Sequence, residues 1–109
     1  MNDKITVEQL LVKCEEVSRF IWEQNINRYQ EIKKLVGQVG IALEKFIFIV
    51  QQYQLEDVSV ELVVKQLNSI VTGLEEENDI LIADILNYEI YNTLLLYLEV
   101  LNVVEEEKR

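Results

Sequence analysis

Apolar residues recur at helical spacing along almost the whole chain. Val7, Leu10, Leu11, Cys14, Val17 and Ile21 follow one another so that they share one helical face. Ile32, Val36, Val39, Leu43, Phe46, Val50 and Tyr53 keep a strict 4-3-4-3-4-3 spacing, the seam of a helix packed in a bundle or coiled coil. Val60, Val63, Leu67, Ile70 and Leu74 repeat a 3-4-3-4 spacing. The stretch from Ile80 to Val104 goes further. Eighteen of its 25 residues are Ile, Leu, Val, Ala or Tyr, and its only charges are Asp84, Glu89 and Glu99. One bundle stripe needs roughly 3 positions in 7, or about 11 of these residues. The surplus predicts a helix that is central in its own bundle, or one covered by another copy or a partner. Phe46 to Val50 is a second two-sided segment, because Phe48 and Ile49 cannot both point inward with Phe46 and Val50.

Local signals place the boundaries. Thr6-Val7-Glu8-Gln9 fits a capping box with Thr6 as N-cap. Beyond Ile21 the apolar face moves to Trp22, Ile26 and Tyr29, which predicts a break near Asn25–Asn27, with Asn27 and Gln30 resembling a second capping box. The alternative is one helix from Thr6 to Val36, broken at Gly37 and Gly40; either glycine could also permit a close helix crossing. Leu55–Val58 reads as a loop, with Asp57 or Ser59 capping the next helix. Glu75, Glu76 and Glu77 oppose the macrodipole at a helix C-terminus and favour a turn there. Asn78 suits the left-handed position after that helix, and Asp79 can cap the last one. The predicted fold is all-α: a single-domain bundle of four mostly antiparallel helices near residues 6–25, 28–54, 58–77 and 80–106, or three long helices if the first break is absent. With no Pro and three Gly in 109 residues, the turn chemistry of a sandwich or barrel is missing.

Charge narrows the partners. The net charge of −10 lies wholly in the second half: residues 1–54 hold seven acids and seven bases, residues 55–109 thirteen acids and three bases. Nucleic acid needs a basic surface to displace phosphate counterions, and an anionic membrane would repel this half. Neither is expected as a partner; a basic or helical protein, or a second copy, is. The longest wholly apolar run of the last helix, Leu94–Leu98, is far short of a span of about 20 residues. One cysteine and no signal-like N-terminus make the cytoplasm the expected location.

No chemistry-bearing constellation emerges, so no enzyme, metal or cofactor is expected. The chain has no His, whereas carboxylate-bridged metal sites in bundles draw on Glu-x-x-His. On a regular helix Asp84 and Glu89 diverge by about 140°. Cys14 lies on an apolar face with no His to take its proton. What remains is a surface. At 100° per residue, Asp84, Tyr88, Asn92, Glu99 and Asn102 fall within about 80°, interrupted by Leu81 and Leu95. That stripe is either the solvated edge of the last helix or a polar strip that sets a pairing register or accepts basic groups. With Phe48 and Leu96 it makes up the candidate interaction surface: Phe48, Asp84, Tyr88, Asn92, Leu96 and Glu99.

The segment from Glu77 to Ile90 carries a turn Asp, Asp79, and then Ala83-Asp84-Ile85-Leu86-Asn87-Tyr88-Glu89. It resembles small helical proteins, mainly of Gram-positive bacteria, that share an Ala-Asp-x-Leu-x-Tyr-Glu pattern after a turn Asp. Thr6 to Leu11 matches them weakly. That family is a domain of unknown function, so the resemblance implies a helical fold and a bacterial cytoplasm. In size and acidity the chain is also similar to helical export chaperones of the flagellar type, by analogy and without matching motif residues. The expected function is a non-enzymatic protein-interaction module, an adaptor or chaperone-like protein. The alternative is a purely structural homodimer with no separate client site.

Overall fold

The computed structural model describes residues 3–22 and 28–107, with side chains described for residues 3–17 and 30–104. Four helices follow one another: α1 (Asp3–Trp22), α2 (Arg28–Gln52), α3 (Val60–Glu75) and α4, which runs through Asp79–Asp84, a π-helical turn at Ile85–Ile90, and Tyr91–Glu107. No strand occurs among the described residues, and the all-α prediction holds. Cross-helix contacts show the directions. Asp3 reaches Lys45 and Lys13 reaches Gln38, so α1 and α2 are antiparallel. Gly73 meets Ile82 while Gln66 meets Thr93, so α3 and α4 are antiparallel.

One apolar core passes through all four helices. The α1 seam from Val7 to Val17 is buried as its spacing predicts; Ile21 lies outside the described side chains. In α2, Ile32, Val39, Leu43, Phe46 and Val50 are buried, and Phe46 stacks on Tyr97 of α4 with ring centroids 4.8 Å apart. Leu35 and Ala42 join them, whereas Val36 is half-buried and Tyr53 lies past the helix end on the surface.

Several boundaries differ from the sequence reading. Helix α1 already begins at Asp3, so Thr6 stands inside it and not at its N-cap position. The proposed break at Asn25–Asn27 lies outside the described residues. Helix α2 is unbroken through Gly37 and Gly40, and a Cβ at either would meet nothing within 4 Å, so neither marks a kink or a close crossing. The tight glycine is Gly73, where a Cβ would stand 2.8 Å from Ile82 Cγ1.

The caps are partly as read. Ser59 caps α3, its Oγ accepting from Leu62 N–H at 3.2 Å. At the next turn the register is one residue earlier than predicted. Glu77 takes the left-handed conformation (φ 52°), and Asn78 is the N-cap, its Oδ1 accepting from Leu81 N–H at 3.1 Å. Both α2 and α3 close the same way. Leu55 N–H donates to Val50 O and Asn78 N–H to Gly73 O, around the left-handed residues Gln54 and Glu77.

The π turn explains how α4 buries so much. Ile82, Leu86, Ile90 and Leu94 are all fully buried although they are spaced 4-4-4. In a regular α-helix that spacing drifts by about 120° over twelve residues. Tyr91 N–H reaches back to Leu86 O, an i→i+5 bond, and the wider turn returns the seam to the core. Side chains secure this register change. Asn92 donates to Tyr88 O at 2.7 Å; the Thr93 hydroxyl shares its one proton between Gln66 Oε1 in the core, at 2.8 Å, and Glu89 O at 3.1 Å. Tyr91 donates to Glu15 Oε1 on α1 at 3.0 Å. In α3, buried Gln66 therefore stands in the core, while Val60, Leu67 and Leu74 are half-buried rather than full core positions.

Candidate interaction surface

All six predicted surface residues are exposed, but they belong to three different places. Phe48 is 66% exposed. Two residues from Phe46, it is turned about 200° away from the Tyr97 stack and so away from α4. Gly37, Ile41, Glu44 and Phe48 fall within about 60° of one another on this outer face of α2, and Ile41 is 60% exposed. Ile41 borders a small pocket beside Asp3, Thr6 and Val7 of α1, and both Ile41 and Phe48 remain largely exposed.

Asp84 and Asn92 flank the π turn and Tyr88 lies within it, all three exposed on α4. Tyr88 is 69% exposed. The Asn92 amide is engaged by the Tyr88 carbonyl, so it serves the helix itself and is not held out toward a partner. The π turn also changes an inference from regular geometry. Five residues are close to one turn of a π-helix, so Asp84 and Glu89 do not diverge by 140°. Even so, among the described residues no group of three or more His, Cys, Asp or Glu side chains is placed to hold a metal ion.

Leu96 and Glu99 line a cleft of about 560 Å³ between the last turns of α4 and the α2–α3 connection. Leu96, Glu99, Val100 and Val103 follow a 3-1-3 spacing along one face of α4, opposite Tyr53, Leu55 and Val58. Leu55–Val58, expected from the sequence as a loop, forms the facing wall of this cleft. Its two apolar residues inside an acidic connection were the available signal.

Among the described residues, titration is shifted upward at three side chains. Burial pushes the Cys14 thiol to about 12. Burial, with Asp3 nearby, pushes Tyr97 to about 12. The hydrogen bond to Glu15 raises Tyr91. These groups are moved away from the range useful for acid–base work near neutrality.

Gln30–Gln52 of α2 is long and apolar enough to cross a membrane by length and composition. Its Ile32, Val39, Leu43 and Phe46 are nevertheless buried against the other helices, and Glu44 and Lys45 are exposed at its middle. A core helix of a bundle meets the same criterion. Neither family models, curated proteins nor solved structures give a match to this chain.

Proposed function

We propose that this protein is a non-enzymatic, cytoplasmic protein-interaction module that works by burying its uncovered apolar side chains against another protein. The observation that carries the reading is the outer seam of α2. Ile41 and Phe48 are 60% and 66% exposed on a helix whose opposite face is core. Fully burying such side chains is worth about 1.5–3 kcal/mol each, which a covering partner would recover. The bundle is only 25 by 19 Å across, and among the described residues no fifth helix lies over them. The test is isolation from the native cell. The unaltered chain should retain a protein partner that Phe48→Glu releases while helix content and melting temperature stay unchanged. Retention of nothing by the unaltered chain would overturn the reading.

The structural homodimer is the second reading, and the same seam favours it. Gly37 and Phe48 share the outer face of α2 and are equidistant from the point between Ala42 and Leu43, where a two-fold axis would pair them. In an antiparallel pairing of two copies, each Phe48 would face the other's Gly37, where a Cβ meets nothing within 4 Å. Sedimentation at high micromolar concentration separates the two. A dimer that Phe48→Glu converts to a folded monomer supports the homodimer, and a monomer at that concentration removes it.

A further inference from the structure

The cleft beside the α2–α3 connection differs in chemistry from the α2 seam. Its apolar lining is formed by Leu55, Val58, Leu96, Val100, Val103 and Val104, of which Val103 is 55% exposed. Its charged side chains, Glu56, Asp57 and Glu99, are exposed on the rim, and no lining residue is basic. Among the described residues none of the three is in an ion pair. No Lys or Arg occurs between Lys65 and Lys108, and α4 continues past the cleft into Glu105, Glu106 and Glu107. The C-terminal ends of α2 and α4, the negative ends of their dipoles, lie beside it.

We propose that this cleft docks a basic amphipathic helical segment of a partner protein. The apolar side chains of that segment sit against Leu96 and Val100, and its Lys or Arg residues meet Glu56, Asp57 and Glu99. The proposal rests on the interaction-module reading and supplies the chemistry of the partner. Charge complementarity selects this occupant. A second copy would bring six rim carboxylates together, and like charges at a contact are strongly disfavoured. A small polar metabolite would find no buried polar group to orient it. An apolar groove along a helix face is read instead by anchors at i, i+3 or i+4, and i+7 of a partner helix.

The test uses the full chain and two labelled synthetic helical peptides, with Leu on one face and either Lys or Glu on the other, in about 0.15 M salt, where charges beyond about 8 Å are screened. The Lys peptide should bind at least tenfold more tightly than the Glu peptide. The double variant Glu56→Lys with Glu99→Lys should weaken the Lys peptide at least tenfold. Leu96→Ser should do likewise, without loss of helix content. Glu31→Lys with Glu75→Lys makes the same charge change at exposed sites away from the cleft and should cost less than threefold. Equal losses in the two double variants would mean diffuse attraction to an acidic protein and would overturn the proposal, as would no binding of the Lys peptide. If the peptide fails while the native chain still retains a partner that Phe48→Glu releases, the cleft proposal alone falls. If no partner is retained, the module reading falls as well.

Discussion

Helices α2 and α4 carry the same kind of surplus, more apolar residues than one stripe requires, and they dispose of it differently. Helix α4 lies against α1 and α3 along the π turn and meets α2 through the Phe46–Tyr97 stack. Its π turn keeps a 4-4-4 seam buried from Ile82 to Leu94. Helix α2 has core on one side only, so Ile41 and Phe48 remain outside. Apolar content therefore does not by itself say which helix is covered; the number of flanking elements and the continuity of the seam decide it. Helix α4 still leaves Ile80, Tyr88, Leu95, Leu96 and Val103 exposed at its surface, so association is proposed on both helices, at the outer seam of α2 and at the cleft beside Leu96 and Val103.

The contrast can be broken most severely by changing the register of α4. Deleting Glu99 turns the spacing 94-97-101-104 into 3-3-3 and rotates Leu101 and Val104 by about 100°. Exposing two such side chains forfeits roughly 3–6 kcal/mol. Deleting Tyr88 instead removes the extra residue of the π turn and leaves Ile82, Leu86, Ile90, Leu94 and Tyr97 at regular 4-3-4-3 spacing. That protein should fold with little loss of stability. If both deletions cost the same in denaturant unfolding, the π turn does not have the role given to it.

Truncations give the next largest effects. Leu43→Ala and Leu86→Ala, both at fully buried sites, should each cost about 2–5 kcal/mol. Leu67→Ala should cost less, because Leu67 is half-buried. Phe48→Ala should stay within about 0.5 kcal/mol of the unaltered monomer. A large loss at Phe48 in dilute monomer would place it in the core and remove the contrast between the helices.

The glycines offer the smallest and most specific comparison. Gly73→Ala drives a Cβ into Ile82 and should destabilise by about 1–3 kcal/mol. Gly37→Ala and Gly40→Ala enter open space and should each stabilise by up to about 1 kcal/mol. Thermal unfolding of the three variants distinguishes them, and the same sign at all three would contradict the packing described.

Much of this fold is legible in the sequence because seam spacing reports helical faces directly: the α1 face, most of the α2 seam and the exposure of Phe48 follow from it, while the cap of α3 is one of two candidates, Asp57 or Ser59, of which Ser59 is the one used. What escaped has identifiable causes. A fixed 100° per residue cannot represent a π turn, although the 4-4-4 run from Ile82 to Leu94 was its signature. Gln66 reads as surface until its partner Thr93, 27 residues away, is brought beside it. Thr6 mimics a cap because its spacing to Gln9 is right, while Asp3 already begins the helix. The close approach at Gly73 depends on where Ile82 lands. The cleft likewise needs Leu55 and Val58 to meet Leu96 and Val103, a pairing that no local pattern encodes.

The central claim is that the outer seam of α2 is covered by another protein in the cell, and thiol labelling tests it most directly. Cys14 is buried, its thiol pushed up to about 12, so it stays silent in the folded chain. A cysteine introduced as Glu44→Cys reports on the α2 seam, and Glu75→Cys on a remote exposed site. In gently opened native cells, Glu44→Cys should react with a maleimide at least tenfold more slowly than in the dilute purified protein, while Glu75→Cys reacts equally in both. Equal reactivity of Glu44→Cys in the two settings would show that nothing covers the seam and would contradict the account.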